Sequence, residues 1–186
     1  YEVTGERKHL ELCRFFVEQR GTAPDSFVTE ANKRNDDSIH YDPTYYQAHL
    51  PVRKQKTAEG HSVRAVYLYS GMVELAMETN DIALFAVCRT LWDNTTKRRM
   101  YVTGGIGSSA HMERCTVDYD LPNERADTET CAAIGLVFWA QRMLQADNDR
   151  RYADVMELAL YNGVLSGISL DGKSYFYVNP LEVWPD

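Results

Sequence analysis

The sequence predicts an all-α fold built from paired helices, and three observations carry that prediction. Apolar residues recur at three- and four-residue spacing along successive stretches of the chain. Short polar connections join the later stretches two by two, whereas long connections fall between the pairs. The strand-like run, Ser174 to Val178, stands near the end behind Asp171-Gly172, where a short β-hairpin is expected. Helical hairpins in this order suit a toroid in which inner helices face a central cleft and outer helices wrap them. The helices are too few to close such a ring. The sequence starts at Tyr1 without an initiator Met and stops at Asp186 soon after the strand-like run, so 1–186 is expected to be one partial domain of a longer chain.

The first helix is predicted over residues 5–20, with Leu10, Cys13, Phe16 and Val17 at helical spacing and Gly21 as a stop. Residues 22–58 form a long Asp-, Asn- and Tyr-rich connection with Pro24, Pro43 and Pro51, and ordered connections of that length are usually functional. A second helix follows from Gly60 to about Glu78 on Val63, Val66, Tyr67, Ser70, Val73 and Met77. Thr79-Asn80-Asp81 can cap a third, running through Leu84, Phe85, Cys88, Leu91 and Trp92 to about Lys97. Residues 100–126 lose the rhythm. Asp127 can cap a fourth helix with Cys131, Ile134, Val137, Phe138 and Leu144 on its apolar side. A fifth, with Tyr152, Val155, Met156, Leu158, Leu160 and Val164, pairs with it and closes at Gly167.

With 186 residues and 44% apolar content the chain can bury a sizeable core. Its net charge of -7 argues against a phosphate-backbone partner, and the runs Arg53-Lys54-Gln55-Lys56 and Lys97-Arg98-Arg99 are expected to be solvated helix ends. No stretch is apolar for long enough to span a membrane. The four cysteines show no disulfide spacing, and Cys13 and Cys88 fall in apolar helical patterns as expected for buried thiols.

Chemistry concentrates between residues 100 and 131. Gly104-Gly105-Ile106-Gly107 lacks the preceding strand and following Lys of a phosphate loop, and is better explained as a turn that lets backbone pass close to a neighbour. The segment from His111 through Glu113, Cys115, Asp118 and Asn123 to Asp127, Glu129 and Cys131 gathers carboxylates and thiols in a loop that leads into a helix. Residues two apart diverge on a regular helix, so Glu129 and Cys131 could reach one metal only in an irregular first turn. There the helix N-terminus favours carboxylate and thiolate. On the residues alone, a capped helix with a buried thiol is the better account of them.

The runs Gly60-His61-Ser62-Val63-Arg64-Ala65-Val66-Tyr67-Leu68-Tyr69-Ser70-Gly71, Tyr101-Val102-Thr103-Gly104-Gly105-Ile106-Gly107, Asp118-Tyr119-Asp120-Leu121-Pro122-Asn123 and Glu129-Thr130-Cys131-Ala132 resemble glycoside hydrolase family 127, in the right order and over most of the chain. The resemblance implies part of an (α/α)6 barrel that releases terminal β-L-arabinofuranose with retention of configuration, using a cysteine nucleophile held on zinc by one glutamate and three cysteines. It assigns Glu113 as general acid/base and Glu129 and Cys131 as zinc ligands. The adjacent cysteine pair that includes the nucleophile would lie beyond Asp186, so these residues alone are expected to be inactive. His61, Glu157 and Tyr177 match sugar-binding positions, and His49 belongs to a further recurrent stretch. Cys115 departs from the pattern, standing where an aromatic residue is expected; a substitute ligand role for it is the remoter reading.

The partner expected is a small glycoside or oligosaccharide. Rival readings are a metal-free (α/α)6 sugar enzyme, such as an epimerase or unsaturated-uronyl hydrolase, and a non-catalytic carbohydrate-binding scaffold. A reduced thiol site favours the cytoplasm. No pattern encodes oligomeric state, and a homodimer stays open.

Overall fold

The computed structural model describes residues 1–35 and 41–184. Its helices are α1 (Arg7–Gln19), α2 (Ser26–Arg34), α3 (Ser62–Thr79), α4 (Ile82–Arg98), α5 (Thr130–Ala146) and α6 (Arg150–Ala159), with one small sheet of two antiparallel strands, β1 (Gly60–His61) and β2 (Arg114–Cys115). The helix α2 lies inside the segment expected to be all loop. Asp25 caps it by accepting from the N–H groups of Phe27 and Val28, and it buries no residue, so no apolar periodicity announced it.

Two tight hairpins, α3/α4 and α5/α6, form the body, and α3 packs along α5. Asp81 caps α4 as expected, accepting from the Leu84 N–H at 2.8 Å. The turn into α6 is capped in the same way by Asp149. A chain of aromatic rings ties the four helices together. Tyr69 of α3 lies 4.9 Å from Trp139 of α5, Trp139 lies 5.0 Å from Trp92 of α4, and Trp92 lies 5.0 Å from Tyr152 of α6. All four are fully enclosed, and each such pair adds about 0.5–1.5 kcal/mol beyond the area it buries.

The predicted apolar faces need adjustment. Helix α5 buries Ala132, Leu136, Trp139 and Met143, while Phe138 is exposed. It is apolar nearly all round, so periodicity could not choose its inner face. The choice is made by close packing on α3, where a Cβ on Gly135 would lie 2.4 Å from Val66. In α1 only Val17 is buried and Phe16 faces outward. The last helix does not run regularly to Gly167: beyond Ala159 it loosens into a π turn over Leu160–Val164 and tightens into a 3-10 turn over Leu165–Gly167. The turn expected at Asp171-Gly172 is present, its ladder reduced to the single bridge Ile168 to Tyr175.

The basic runs are exposed as expected at Arg53, Lys54, Lys56, Lys97 and Arg98, and the exception is Arg99. Arg99 is buried, donating to the carbonyl of Ala58 at 2.5 Å, to Asp118 at 2.8 Å and to Glu59 at 3.2 Å. Arg98 adds a 2.9 Å bond to Asp118, and these guanidinium groups hold the Asp118 carboxyl down to about 2. Arg53 bridges Glu18 and Asp81. These pairs pin the 100–126 connection and the N-terminal segments onto the hairpins. Cys88 is a buried thiol, as expected, and Cys13 is half-buried against the core. Among the described residues, no helix is long and apolar enough to cross a membrane.

The Gly-rich turn is a packing device. Gly104 has φ +83°, and a Cβ there would lie 2.8 Å from the backbone nitrogen of Ala159 at the end of α6. Gly104→Ala in the full-length protein should therefore lose stability by about 1–3 kcal/mol from overpacking, with roughly 1–2 kcal/mol more from the left-handed backbone. Chemical denaturation checks this, and a loss well below 1 kcal/mol would contradict the packing described.

Candidate active site

The site forms where β1 and β2 pair. Gly60 opposes Cys115 and His61 opposes Arg114, which sets Glu113 immediately beyond the ladder and next to His61. The buried Gln47 side-chain amide steadies the approach to β1 by donating to the carbonyls of Tyr45, Glu59 and His61 at 3.0, 2.9 and 3.2 Å. Arg114 anchors the same loop through Asp42 at 3.1 Å. Met112 and Glu113 both have left-handed backbones, φ 60° and 49°. Such residues cost about 1–3 kcal/mol each and persist where their surroundings over-determine them. Here the buried Ser62 hydroxyl donates to the Glu113 carbonyl at 3.1 Å.

Each carboxylate oxygen of Glu113 has a partner. His61 Nε2 lies 3.0 Å from Oε2, and the Tyr177 hydroxyl donates to Oε1 at 2.9 Å. Nδ1 of His61 accepts the Val63 N–H at 3.2 Å, so the ring proton sits on Nε2 and points at Glu113. Burial lowers the His61 pKa below its ordinary value, partly offset by the Glu113 charge, so the ring is neutral at pH 7. The Tyr177 hydroxyl is pushed far above the usual tyrosine range, chiefly by Glu129 and then by Glu113. One phenol thus stands between two carboxylates.

Tyr177 is held there by a backbone clamp. The Thr130 N–H donates to the Tyr177 carbonyl at 3.0 Å and its hydroxyl to the Phe176 carbonyl at 2.7 Å. Asn179 donates to the Thr128 carbonyl and the Thr130 hydroxyl, both at 3.1 Å, and accepts from the Thr128 hydroxyl on its own carbonyl. The 176–179 segment is thereby fastened to the start of α5.

At that start Glu129 has an extended backbone, φ -53° and ψ 139°, and precedes the first helical residue. It escapes the divergence of a regular helix, and its carboxylate meets the Cys131 thiol, whose pKa is raised by burial and then by Glu129. The Glu129 carboxylate is buried, and Oε2 has no hydrogen-bond partner among the described residues. An orphaned carboxylate oxygen beside a thiol fits a divalent cation with an affinity for oxygen and sulfur, as zinc has. Asp127 caps nothing, contrary to expectation. Its carboxyl is buried with Oδ2 unpartnered, and burial followed by the charges of Glu129 and Glu113 pushes it to about 6.

The structure therefore brings together Glu113, His61, Tyr177, Glu129 and Cys131. Two expected residues stand apart: Glu157 is exposed on α6, and His49 is half-buried with Nδ1 unpartnered, and neither hydrogen-bonds to Glu113, His61 or Tyr177 among the described residues. Cys115 is sealed beneath the ladder, where burial raises its thiol to about 11 beside Arg99 and Glu59. That position does not suit a substitute ligand. Sequence reasoning missed the Ser62 contact, the Asp127 carboxyl and the clamp, because each depends on pairing between distant segments.

The helical hairpins thus set two carboxylates, Glu113 and Glu129, around the hydroxyl of Tyr177. The family model for the catalytic domain of GH127 β-L-arabinofuranosidases matches residues 1–186, and the chain belongs to that family. It is 44% identical over 191 residues to a non-reducing end β-L-arabinofuranosidase of Bifidobacterium longum, covering 100% of this chain and 29% of that protein. A crystal structure of a GH127 β-L-arabinofuranosidase from Geobacillus stearothermophilus T6 superposes with a TM-score of 0.96 at 55% identity, covering 100% of this chain and 30% of that one. A GH127 β-arabinofuranosidase structure matches at TM-score 0.85 and 42% identity, over 97% of this chain and 26% of that one. The chain thus spans under a third of these relatives, and its hairpins are part of an (α/α)6 barrel.

Because the Glu113 charge raises the His61 pKa against burial, Glu113→Gln should lower it further. Histidine-selective NMR titration of the full-length protein reads this directly, and an upward shift would contradict the geometry.

Proposed function

We propose that the complete protein is a retaining glycoside hydrolase that removes terminal β-L-arabinofuranose from small glycosides or oligosaccharides. Glu113 is its general acid/base, and Glu129 with Cys131 forms half of a zinc site. The remaining ligands, the nucleophilic cysteine among them, lie outside these 186 residues. The observation that carries this reading is the fixing of Glu113 by His61 and Tyr177, with Tyr177 also facing Glu129.

A retaining mechanism needs an acid on one side of the scissile bond and a nucleophile roughly 5 Å away on the other. Glu113 gives its proton to the departing glycosidic oxygen, then takes one from the water that releases the sugar. His61, neutral and with Nε2–H directed at Oε2, and Tyr177 on Oε1 hold the carboxylate plane through both steps. Zinc, when bound, supplies the charge that ionises a coordinated thiol at neutral pH. In this chain Glu129 and Cys131 would hold it. Burial and the neighbouring carboxylates keep the Cys131 thiol protonated otherwise, so ligation has to reverse that sign. His49 and Glu157 remain proposed sugar contacts, on the family resemblance alone.

In the full-length enzyme, Glu113→Gln should cut turnover on a poor leaving group by about 100-fold or more while leaving zinc content unchanged. Near-normal hydrolysis by this variant would remove Glu113 from the role. Glu129→Ala and Cys131→Ala should each lose bound metal, read by elemental analysis of the purified protein, with activity falling in step. Full occupancy in both variants would remove Glu129 and Cys131 as ligands, whereas a parent protein without bound metal would favour the rival metal-free sugar chemistry.

A further inference from the structure

We infer that Ser62 is a positioning residue for Glu113, acting through the main chain of the acid rather than on the sugar; the inference rests on the acid/base reading above. Ser62 is the first residue of α3 and is completely enclosed. A serine at a helix start usually accepts a backbone N–H from the first turn. That function is already filled, since the Val63 N–H goes to His61 Nδ1. The Ser62 hydroxyl instead crosses 51 positions of sequence to donate to the Glu113 carbonyl at 3.1 Å.

The contact falls where it controls direction. Met112 and Glu113 are consecutive left-handed residues without the freedom of glycine. The hydroxyl ties down the carbonyl that follows this strained pair, and so restrains the backbone from which the Glu113 side chain reaches His61 and Tyr177.

The space it occupies depends on Gly107. A Cβ there would lie 2.9 Å from Ser62 Oγ, and Gly107 has φ +91°. The carbonyl of Gly107 accepts the Thr128 N–H at 2.9 Å, one residue before Glu129. Ser62 and Gly107 therefore link the backbone of the acid to the segment that leads into Glu129 at the start of α5.

The test compares Ser62→Ala, Glu113→Gln and the parent in the full-length, zinc-loaded enzyme, on an alkyl and on a 4-nitrophenyl β-L-arabinofuranoside. The readout is kcat/KM, which reports steps up to bond cleavage. The alkyl group departs only with protonation, whereas nitrophenolate departs with little help. Ser62→Ala should lose at least about tenfold more on the alkyl substrate than on the nitrophenyl one, a fraction of what the acid itself contributes. Its melting temperature should stay within a few degrees of the parent.

Equal losses on both substrates, or no loss on either, would overturn the inference. Gly107→Ala, which pushes on the same hydroxyl from the other side, should show the same substrate dependence, and keeps the question answerable if Ser62→Ala folds poorly. Should Glu113→Gln itself show no substrate dependence, the acid/base reading fails. If Glu113→Gln shows it and Ser62→Ala does not, the positioning role alone fails.

Discussion

The pairing of Gly60–His61 with Arg114–Cys115 is the constraint on which the rest depends. Two residues on each side contribute little stability by themselves. Their importance is geometric, because they bring the start of α3 against a connection more than fifty residues later. His61 then meets Glu113, Ser62 meets the Glu113 carbonyl, and Cys115 is sealed inside. Arg99 and Gln47 hold the two sides of this junction with side-chain bonds to backbone carbonyls and to Asp118. The hairpins below supply rigidity, and their aromatic chain makes α3 and α5 a fixed platform.

From that junction the site extends in one direction only. Thr128, Thr130 and Asn179 fasten the 176–179 segment to the start of α5, and Tyr177 reaches back over Glu113. Glu129 escapes helical geometry by one residue and so meets Cys131 instead of diverging from it. A buried Glu129 oxygen without a hydrogen-bond partner among the described residues, a Cys131 thiol held protonated and a second buried carboxyl at Asp127 pushed to about 6 stand together at the start of α5. A bound divalent ion would relieve the unpaired oxygen and ionise the thiol, which supports the proposed zinc half-site alongside the family resemblance.

Much of the helical body was legible in the sequence, because long apolar stretches joined by short polar turns mark α3, α4 and the α5/α6 pair, and the turn before α4 offers a cap at Asp81. The inner face of α5 was not, since a helix apolar on every side leaves the choice to packing against Val66. The helix α2 was hidden by its lack of any buried residue, and the β1–β2 ladder by being too short for alternation to register. The site residues were named through motif resemblance rather than spacing. Residue patterns alone could not have linked Tyr177 to Glu113 across 64 positions, or shown that Arg99 is buried and Asp127 is not a cap. Those facts belong to contacts between distant segments, which local physics does not encode.

In the proposed enzyme one face carries both the acid and half of a metal centre. Anomalous diffraction at the zinc edge from crystals of the full-length protein is the decisive measurement. A peak is expected at bonding distance from both the Glu129 carboxylate and the Cys131 sulfur, on the side of Tyr177 where Glu113 also lies. A peak elsewhere in the molecule, with Glu129 and Cys131 unligated, would contradict it.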